Sequence, residues 1–226
     1  MKTLIIALSL NERENIDWVI ERYQEMAGDD EDMHLLLVDE DSIDGTWRRY
    51  GTAAGSDARM HLLRRTGRFK GRGSATLEAL AWALDSEHAY DRVVEMGANR
   101  SDDPAHVPAL LARLDASADV VVACRAPRAP RGLARWATGA DVADPDSGFR
   151  AWKRSAVEAL GIADLKAPGW DFPQRSLARA VRRGLRVDSV EVPWADPHGG
   201  TKANRGTEPG TLSLLGLGLR RALGRV

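Results

Sequence analysis

Three stretches of this chain gather side chains that can bind or polarise a ligand. Ser9-Leu-Asn-Glu-Arg-Glu-Asn-Ile16 follows an apolar run and offers Ser9, Asn11 and Glu12 to a nucleoside, although Ser9 or Asn11 would serve equally as the cap of a following helix. Val38-Asp-Glu-Asp-Ser-Ile-Asp-Gly-Thr46 places four acids and a glycine after a second apolar run. Carboxylates such as Asp39 and Asp41 can accept hydrogen bonds from a nucleobase N–H or from ribose hydroxyls, while Asp and Gly also build ordinary turns. Further on, Asp144-Pro-Asp-Ser-Gly-Phe-Arg150 supplies Asp144 and Asp146, two candidate general bases for a hydroxyl acceptor.

These residues need a scaffold. Short apolar, β-rich runs at Thr3–Leu8, Leu35–Asp39, His61–Leu63, Val93–Met96 and Val120–Ala123 alternate with helix-like stretches at Ile16–Met26, Ala75–Leu84 and Ala105–Leu114. Such alternation predicts an α/β fold, a mostly parallel sheet with helices on both faces. In such sheets ligands bind beyond the carboxyl ends of the strands, so Ser9, Asp39 and Gly97 should meet in one cleft. Later come helix-like segments at Ser155–Leu160 and Phe172–Arg183, a strand at Val187–Val192, and a Gly-, Pro- and Thr-rich stretch over Asp196–Gly210 that reads as a mobile loop.

Composition narrows the function. A chain of 226 residues, 43% hydrophobic, fits one large domain. With 32 basic against 33 acidic residues there is no excess positive charge of the kind that marks a nucleic-acid binder. One cysteine, Cys124, excludes an intrachain disulfide framework, and the apolar start breaks at Asn11, too soon for a signal peptide or a span. A cytoplasmic setting is expected.

The two N-terminal motifs together resemble the signature of family 2 glycosyltransferases, in particular the dolichol- and polyprenol-phosphate mannosyltransferases. The likeness continues in order through Arg65-Thr-Gly-Arg-Phe-Lys-Gly-Arg-Gly-Ser-Ala75, Asp103–Leu111, Asp119-Val-Val-Val-Ala-Cys-Arg125, Ser147-Gly-Phe-Arg-Ala-Trp152, Val190-Glu-Val-Pro193 and Gly200-Thr-Lys202. It covers most of residues 3–205. It implies a GT-A fold with one domain over 1–210, a nucleotide-sugar half at 1–124 and an acceptor half at 125–210, followed by an amphipathic tail at 211–226. It also implies an inverting transfer from a GDP- or UDP-linked sugar to a polyprenyl phosphate or small-molecule acceptor.

The chain departs from that family at Met96-Gly-Ala-Asn99, where the family has Met-Asp-Ala-Asp. Two carboxylates there would hold Mg²⁺ or Mn²⁺ against the diphosphate, since hard cations take oxygen ligands. Gly97 has no side chain and Asn99 is neutral, so the usual ligands are missing and no metal is a firm expectation. Arg100, with Lys70, Arg72 or Lys202, could take over the charge, because a guanidinium grips phosphate oxygens; Arg100 on a solvent-facing loop is the equal alternative. Asp102 and Asp103 are alternative ligands, with helix capping preferred for Asp103.

The resemblance assigns the nucleotide sugar to Ser9, Asn11, Glu12, Asp39, Asp41, Gly71, Ala98, Asn99 and Lys202. It gives an acceptor phosphate to Arg125 and Arg135, and the acceptor side more broadly to Ser147, Gly148 and Arg150; Trp170 could stack on a sugar or an isoprenoid on that side, with a core or packing role preferred. A phosphate acceptor is already an anionic nucleophile and needs no base; Asp146 is the candidate base otherwise. The tail, with Arg220, Arg221 and Arg225, could lie on the inner face of a membrane, on the domain or on a partner. Because both acids of the metal motif are lost, the rival reading is a non-catalytic nucleotide-binding or interaction module of the same fold.

Overall fold

The computed structural model describes residues 1–67, 71–126, 132–165, 169–193, 195, 196, 198 and 211–223. Strands β1 (Thr3–Ser9), β2 (Met33–Asp39), β3 (Met60–Arg64), β4 (Arg92–Gly97), β5 (Val120–Ala126), β6 (Arg150–Lys153) and β7 (Val187–Pro193) form one sheet in the order β3-β2-β1-β4-β6-β5-β7. Only β6 runs antiparallel to its neighbours, β4 and β5. The mostly parallel sheet expected from sequence is therefore observed. Helices α1 (Arg13–Ala27), α2 (Thr46–Ala54), α3 (Arg72–Asp85), α4 (Val107–Ala116), α5 (Gly132–Thr138), α6 (Arg154–Leu160), α7 (Phe172–Arg182) and α8 (Thr211–Ala222) complete the chain.

Burial on both faces explains the unbroken apolar strands. Successive side chains of β1 point to opposite sides, so Ile5 and Ala7 join Ile16, Val19, Tyr50, Val107 and Leu110 of α1, α2 and α4. Leu4 and Ile6 instead join Ala75, Ala79, Leu80, Val157 and Phe172 of α3, α6 and α7. α1 presents its apolar stripe at three- and four-residue spacing through Ile16, Val19, Ile20 and Tyr23.

The elements β6, α2 and α5 are absent from the sequence expectation. β6 is only four residues, RAWK, with a buried arginine facing inward. α2 carries Thr and Gly within its short span, which weakens any helix pattern. The tail forms α8 and packs Leu214 and Leu217 onto Ala134, Ala137 and Ala178 of α5 and α7. Among the described residues no helix is long and apolar enough to cross a membrane. Cys124 is a buried free thiol.

Candidate active site

Strand register brings the first motifs together. Ser9 pairs with Asp39 across β1 and β2, and Leu8 pairs with Gly97 across β1 and β4. The turn after β1 is fastened to the turn after β2: Asn11 N–H donates to Ser42 Oγ (2.9 Å), Ile43 N–H to Asn11 Oδ1 (3.0 Å) and Glu12 N–H to Thr46 Oγ1 (2.9 Å). Asn11 and Asp41 take positive φ (55° and 58°), a strained backbone for residues with a side chain.

Several candidates form the frame of this end of the sheet rather than its surface. Asp39 is wholly buried and accepts from Ser42 N (2.9 Å), Ser42 Oγ (2.6 Å) and Ser9 Oγ (3.3 Å). Glu12, also buried, accepts from Asn15 Nδ2 (2.6 Å). Gly71 N–H donates to Glu40 (3.0 Å), whose carboxylate also pairs with Arg65. Asp41 receives Arg64 (2.6 Å), and the Arg64 guanidinium lies 4.0 Å over the Trp47 ring. At the tip of this turn Ile43 is 95% exposed, an apolar surface that the acid-centred sequence reading passed over.

At the end of β4 the missing side chain of Gly97 has a substitute. Asp102 turns back so that its Oδ2 accepts the Gly97 N–H at 2.8 Å. A Cβ on Gly97 would meet that same oxygen at 3.4 Å and Asn99 Oδ1 at 3.3 Å. Asn99 Oδ1 is itself engaged by Ser101 Oγ (2.6 Å). Burial pushes the Asp102 carboxyl above its ordinary value, while the charges of Arg72 and Arg125 and the Gly97 N–H pull it back. Ala98, buried, ties the strand ends through its N–H to the Leu8 carbonyl (3.0 Å).

The antiparallel β6 delivers the acceptor-side motif to the same end. Arg125, at the end of β5, grips buried Asp144 with both Nε (2.5 Å) and Nη2 (3.0 Å). Burial opposes the charge on Arg125, and the Asp144 contact outweighs it, leaving the guanidinium more firmly protonated than usual. This pairing removes Asp144 as a candidate base. Asp146, half-buried, accepts from Gln174 Nε2 (2.6 Å). Arg72, the first residue of α3, lies directly on Gly148: a Cβ there would overlap the guanidinium at 2.0 Å.

Arg150, Ser147 and Arg100 are turned away from the contacts expected of them, while Asp103 takes the capping place preferred for it. Arg150 is 0% exposed, and its N–H groups serve the carbonyls of Ser147 (2.8 Å), Pro145 (2.8 Å) and Pro173 (2.6 Å) and the Ser176 hydroxyl (3.2 Å). It is a buried brace between the 145–147 turn and α7, which corrects its assignment to the acceptor. Ser147, likewise buried, accepts from the Phe149 N–H (3.2 Å) within that turn. Arg100, at φ 67°, swings onto α1, donating to the Glu14 carbonyl (2.9 Å) and lying 5.6 Å from the Trp18 ring centre. Asp103 caps the 3₁₀ turn Pro104–His106 through Ala105 N–H (2.9 Å) and holds Arg22 (2.9 Å).

Arg135 on α5 pairs with exposed Asp141, and Trp170, 36% exposed, precedes α7. Lys70, Lys202 and most of residues 196–210 lie outside the described residues, so the mobile loop expected there is not placed. The His198 backbone donates its N–H to the Asn99 carbonyl (3.0 Å), and its carbonyl accepts from Asn15 Nδ2 (2.5 Å).

Relatives fit this geometry. The family model described as "Glycosyl transferase family 2" matches residues 4–158. Undecaprenyl-phosphate mannosyltransferase of Micrococcus luteus is 30% identical over 85% of this chain and 82% of its own length. Polyprenol monophosphomannose synthase of Mycolicibacterium smegmatis is 26% identical over 85% of this chain and 76% of its own. Among solved structures, glucosyl-3-phosphoglycerate synthase from Mycobacterium tuberculosis, in complex with Mn²⁺, UDP and phosphoglyceric acid, superimposes with a TM-score of 0.73 at 20% identity, over 97% of this chain and 78% of that one. The chain belongs to glycosyl transferase family 2 and is a glycosyltransferase resembling the polyprenol-phosphate mannosyltransferases, built on the GT-A fold.

Proposed function

We propose that this glycosyltransferase moves a sugar, with inversion, from a nucleoside-diphosphate sugar to a phosphate-bearing acceptor, and that guanidinium groups rather than a divalent cation steady the departing diphosphate. One observation carries the reading: Asp102 and Asn99 crowd the place of a Gly97 side chain, their oxygens 3.4 and 3.3 Å from a Cβ there, beside the charges of Arg72 and Arg125. Mg²⁺ or Mn²⁺ wants several converging oxygens. Here one carboxylate is committed to a backbone N–H, and the amide oxygen is committed to Ser101. Gly97 and Asn99 thus offer fewer oxygens than the two carboxylates of the family motif, a poorer set for the cation.

Arg72 and Arg125 instead suit an anion, since charge-assisted hydrogen bonds to phosphate are strong and preorganised donors act most where charge develops. The fastened turns at 9–12 and 39–46 would form the floor under the nucleoside, with Ile43 exposed to the base. A phosphate acceptor arrives already ionised, so positioning suffices for in-line attack. Asp146 would act only if the acceptor were a hydroxyl. Calorimetric titration with GDP, UDP and their sugars, in EDTA and in Mn²⁺, tests the donor side. Binding that ignores EDTA and falls further in Arg72→Ala than in Arg100→Ala supports the reading. Binding that requires Mn²⁺ would overturn the metal-free part.

A lipid acceptor is favoured by one feature. Leu215 and Leu219 of α8 and Leu223 just past its end are 40%, 59% and 67% exposed at four-residue spacing, with Trp136 of α5 exposed nearby and Arg220 on α8. Such a stripe suits an anionic membrane surface. Co-sedimentation with phosphatidylglycerol vesicles should be lost in Leu219→Glu; equal sedimentation would favour a soluble phosphate acceptor.

A further inference from the structure

At the other end of the sheet lies a cluster that sugar transfer does not use. His34 is the second residue of β2 and His61 the second of β3. Parallel pairing aligns Leu36 with His61, so His34, two residues before Leu36, projects on the same face as His61. The turn between α3 and β4 adds His88 and Tyr90. The three rings converge, with centroids 5.3 Å (His34 to His61), 4.9 Å (His34 to His88) and 5.1 Å (His61 to His88) apart. One nitrogen from each lies within 4.8 Å of the others.

The hydrogen bonds orient these nitrogens. His34 Nε2 lies 3.1 Å from the Glu31 carbonyl. A carbonyl only accepts, so Nε2 carries the proton and the neutral ring keeps its lone pair on Nδ1. That Nδ1 faces His61 Nε2 at 3.0 Å and the Tyr90 hydroxyl at 3.0 Å, and the hydroxyl is also 3.4 Å from His61 Nε2. A ring N–H held by a backbone carbonyl, with the other nitrogen turned inward, is the usual arrangement of a metal-ligating histidine. Two nitrogens on a tetrahedral zinc at about 2.0–2.1 Å would stand roughly 3.3 Å apart, close to the His34–His61 separation.

We infer that His34, His61 and His88 form a binding site for one zinc-class divalent transition ion, tying β2, β3 and the turn before β4 together away from the transfer cleft. Imidazole nitrogen selects zinc, cobalt, nickel or copper over the oxygen-seeking Mg²⁺ and Mn²⁺. Three protein ligands leave a fourth position for solvent, with the Tyr90 hydroxyl beside it. The nearby Arg59 is already paired with Asp57 (2.9 Å). His34 lies five steps along β2 from Asp39, about 16 Å of strand, so this ion would take no part in sugar transfer.

The test uses the full chain, untagged and stripped of metal, titrated with Zn²⁺ by calorimetry and with Co²⁺ by visible absorption. One ion per chain is expected, together with a tetrahedral Co²⁺ spectrum and a rise in melting temperature. Losing an outer partner typically weakens a metal site 10–100-fold, so losing a ligand in His88→Ala should weaken binding at least about tenfold. His88 sits in a half-buried turn, so this variant should fold even if His34→Ala does not, and circular dichroism checks it. Absence of Zn²⁺ binding, or undiminished binding in folded His88→Ala, would overturn the proposal. So would loss of binding in Asp102→Asn, which would put the ion in the transfer cleft.

Discussion

Arg150→Met separates a brace from a ligand-binding arginine. The Arg150 side chain meets three carbonyls and a hydroxyl at 2.6–3.2 Å in a site with no solvent exposure. Methionine fills much of the volume and removes a donor from all four; the Pro173 carbonyl keeps the Ser176 hydroxyl (3.2 Å), and each acceptor left without a partner costs about 1–3 kcal/mol. Against this stands the relieved cost of holding a guanidinium out of water, itself several kcal/mol. Burial draws the Arg150 group down to about 10, with Glu95 and Asp144 opposing it, so at neutral pH it is still charged in the native protein. Removing one member of a buried charge network commonly costs about 3–5 kcal/mol, and we expect that net loss here. For a chain of this size it corresponds to a fall in melting temperature of roughly 6–20 °C. Thermal and urea unfolding followed by circular dichroism read it directly. If Arg150 instead gripped the acceptor, the variant would melt like the parent while the KM for acceptor rose, and that result would refute the brace.

Gly148→Ala places a methyl 2.0 Å from an Arg72 nitrogen, so the guanidinium must move while the backbone need not. Nucleotide affinity in EDTA should fall several-fold with little change in melting temperature, and calorimetry on a folded variant decides it. For Asp103, burial pushes the carboxyl up, and the Arg22 hydrogen bond and the Ala105 N–H more than reverse this, leaving it below its ordinary value. A depressed carboxyl stabilises the fold above its unfolded value of about 3.9 and loses that stabilisation as pH falls through the native value. The stability gap between parent and Asp103→Asn, from urea melts, should therefore hold above about pH 5 and narrow below about pH 4; a gap independent of pH would contradict it. Gly218→Ala sets a Cβ 2.0 Å from the Trp136 ring, so α8 should loosen from α5 at a cost of about 1–3 kcal/mol, seen as faster proteolysis near the C-terminus.

Most of the sheet was legible because β1, β2 and β4 are buried on both faces and read as unbroken apolar runs. The convergence of Ser9, Asp39 and Gly97 followed from strand order and is observed in the register. The direction of long side chains was not legible. Arg100 and Arg150 both sit in motif positions, yet one folds onto Trp18 of α1 and the other is sealed beneath α7. Nothing in local sequence states which way a flexible guanidinium turns, because its partners are carbonyls brought in by distant segments. Asp102 was similarly hidden: only the positive-φ turn at Arg100 lets it fold back to Gly97.

The histidine cluster was invisible for a related reason. His34, His61 and His88 are far apart in the chain and follow no ligand spacing, and each alone reads as a strand-end or turn residue. Parallel pairing with a fixed register turns two such positions into neighbours, and the short turn after α3 supplies the third. The transfer cleft and this cluster thus come from one geometric rule applied at opposite ends of the same strands. At the carboxyl ends the turns gather acids, amides and arginines, a set suited to a nucleotide and phosphates. At the amino ends the register and the turn before β4 gather imidazole rings, a set suited to a softer cation. Changes at one end should therefore leave ligand binding at the other intact, and a Zn²⁺ titration repeated at saturating nucleotide would measure any coupling between them.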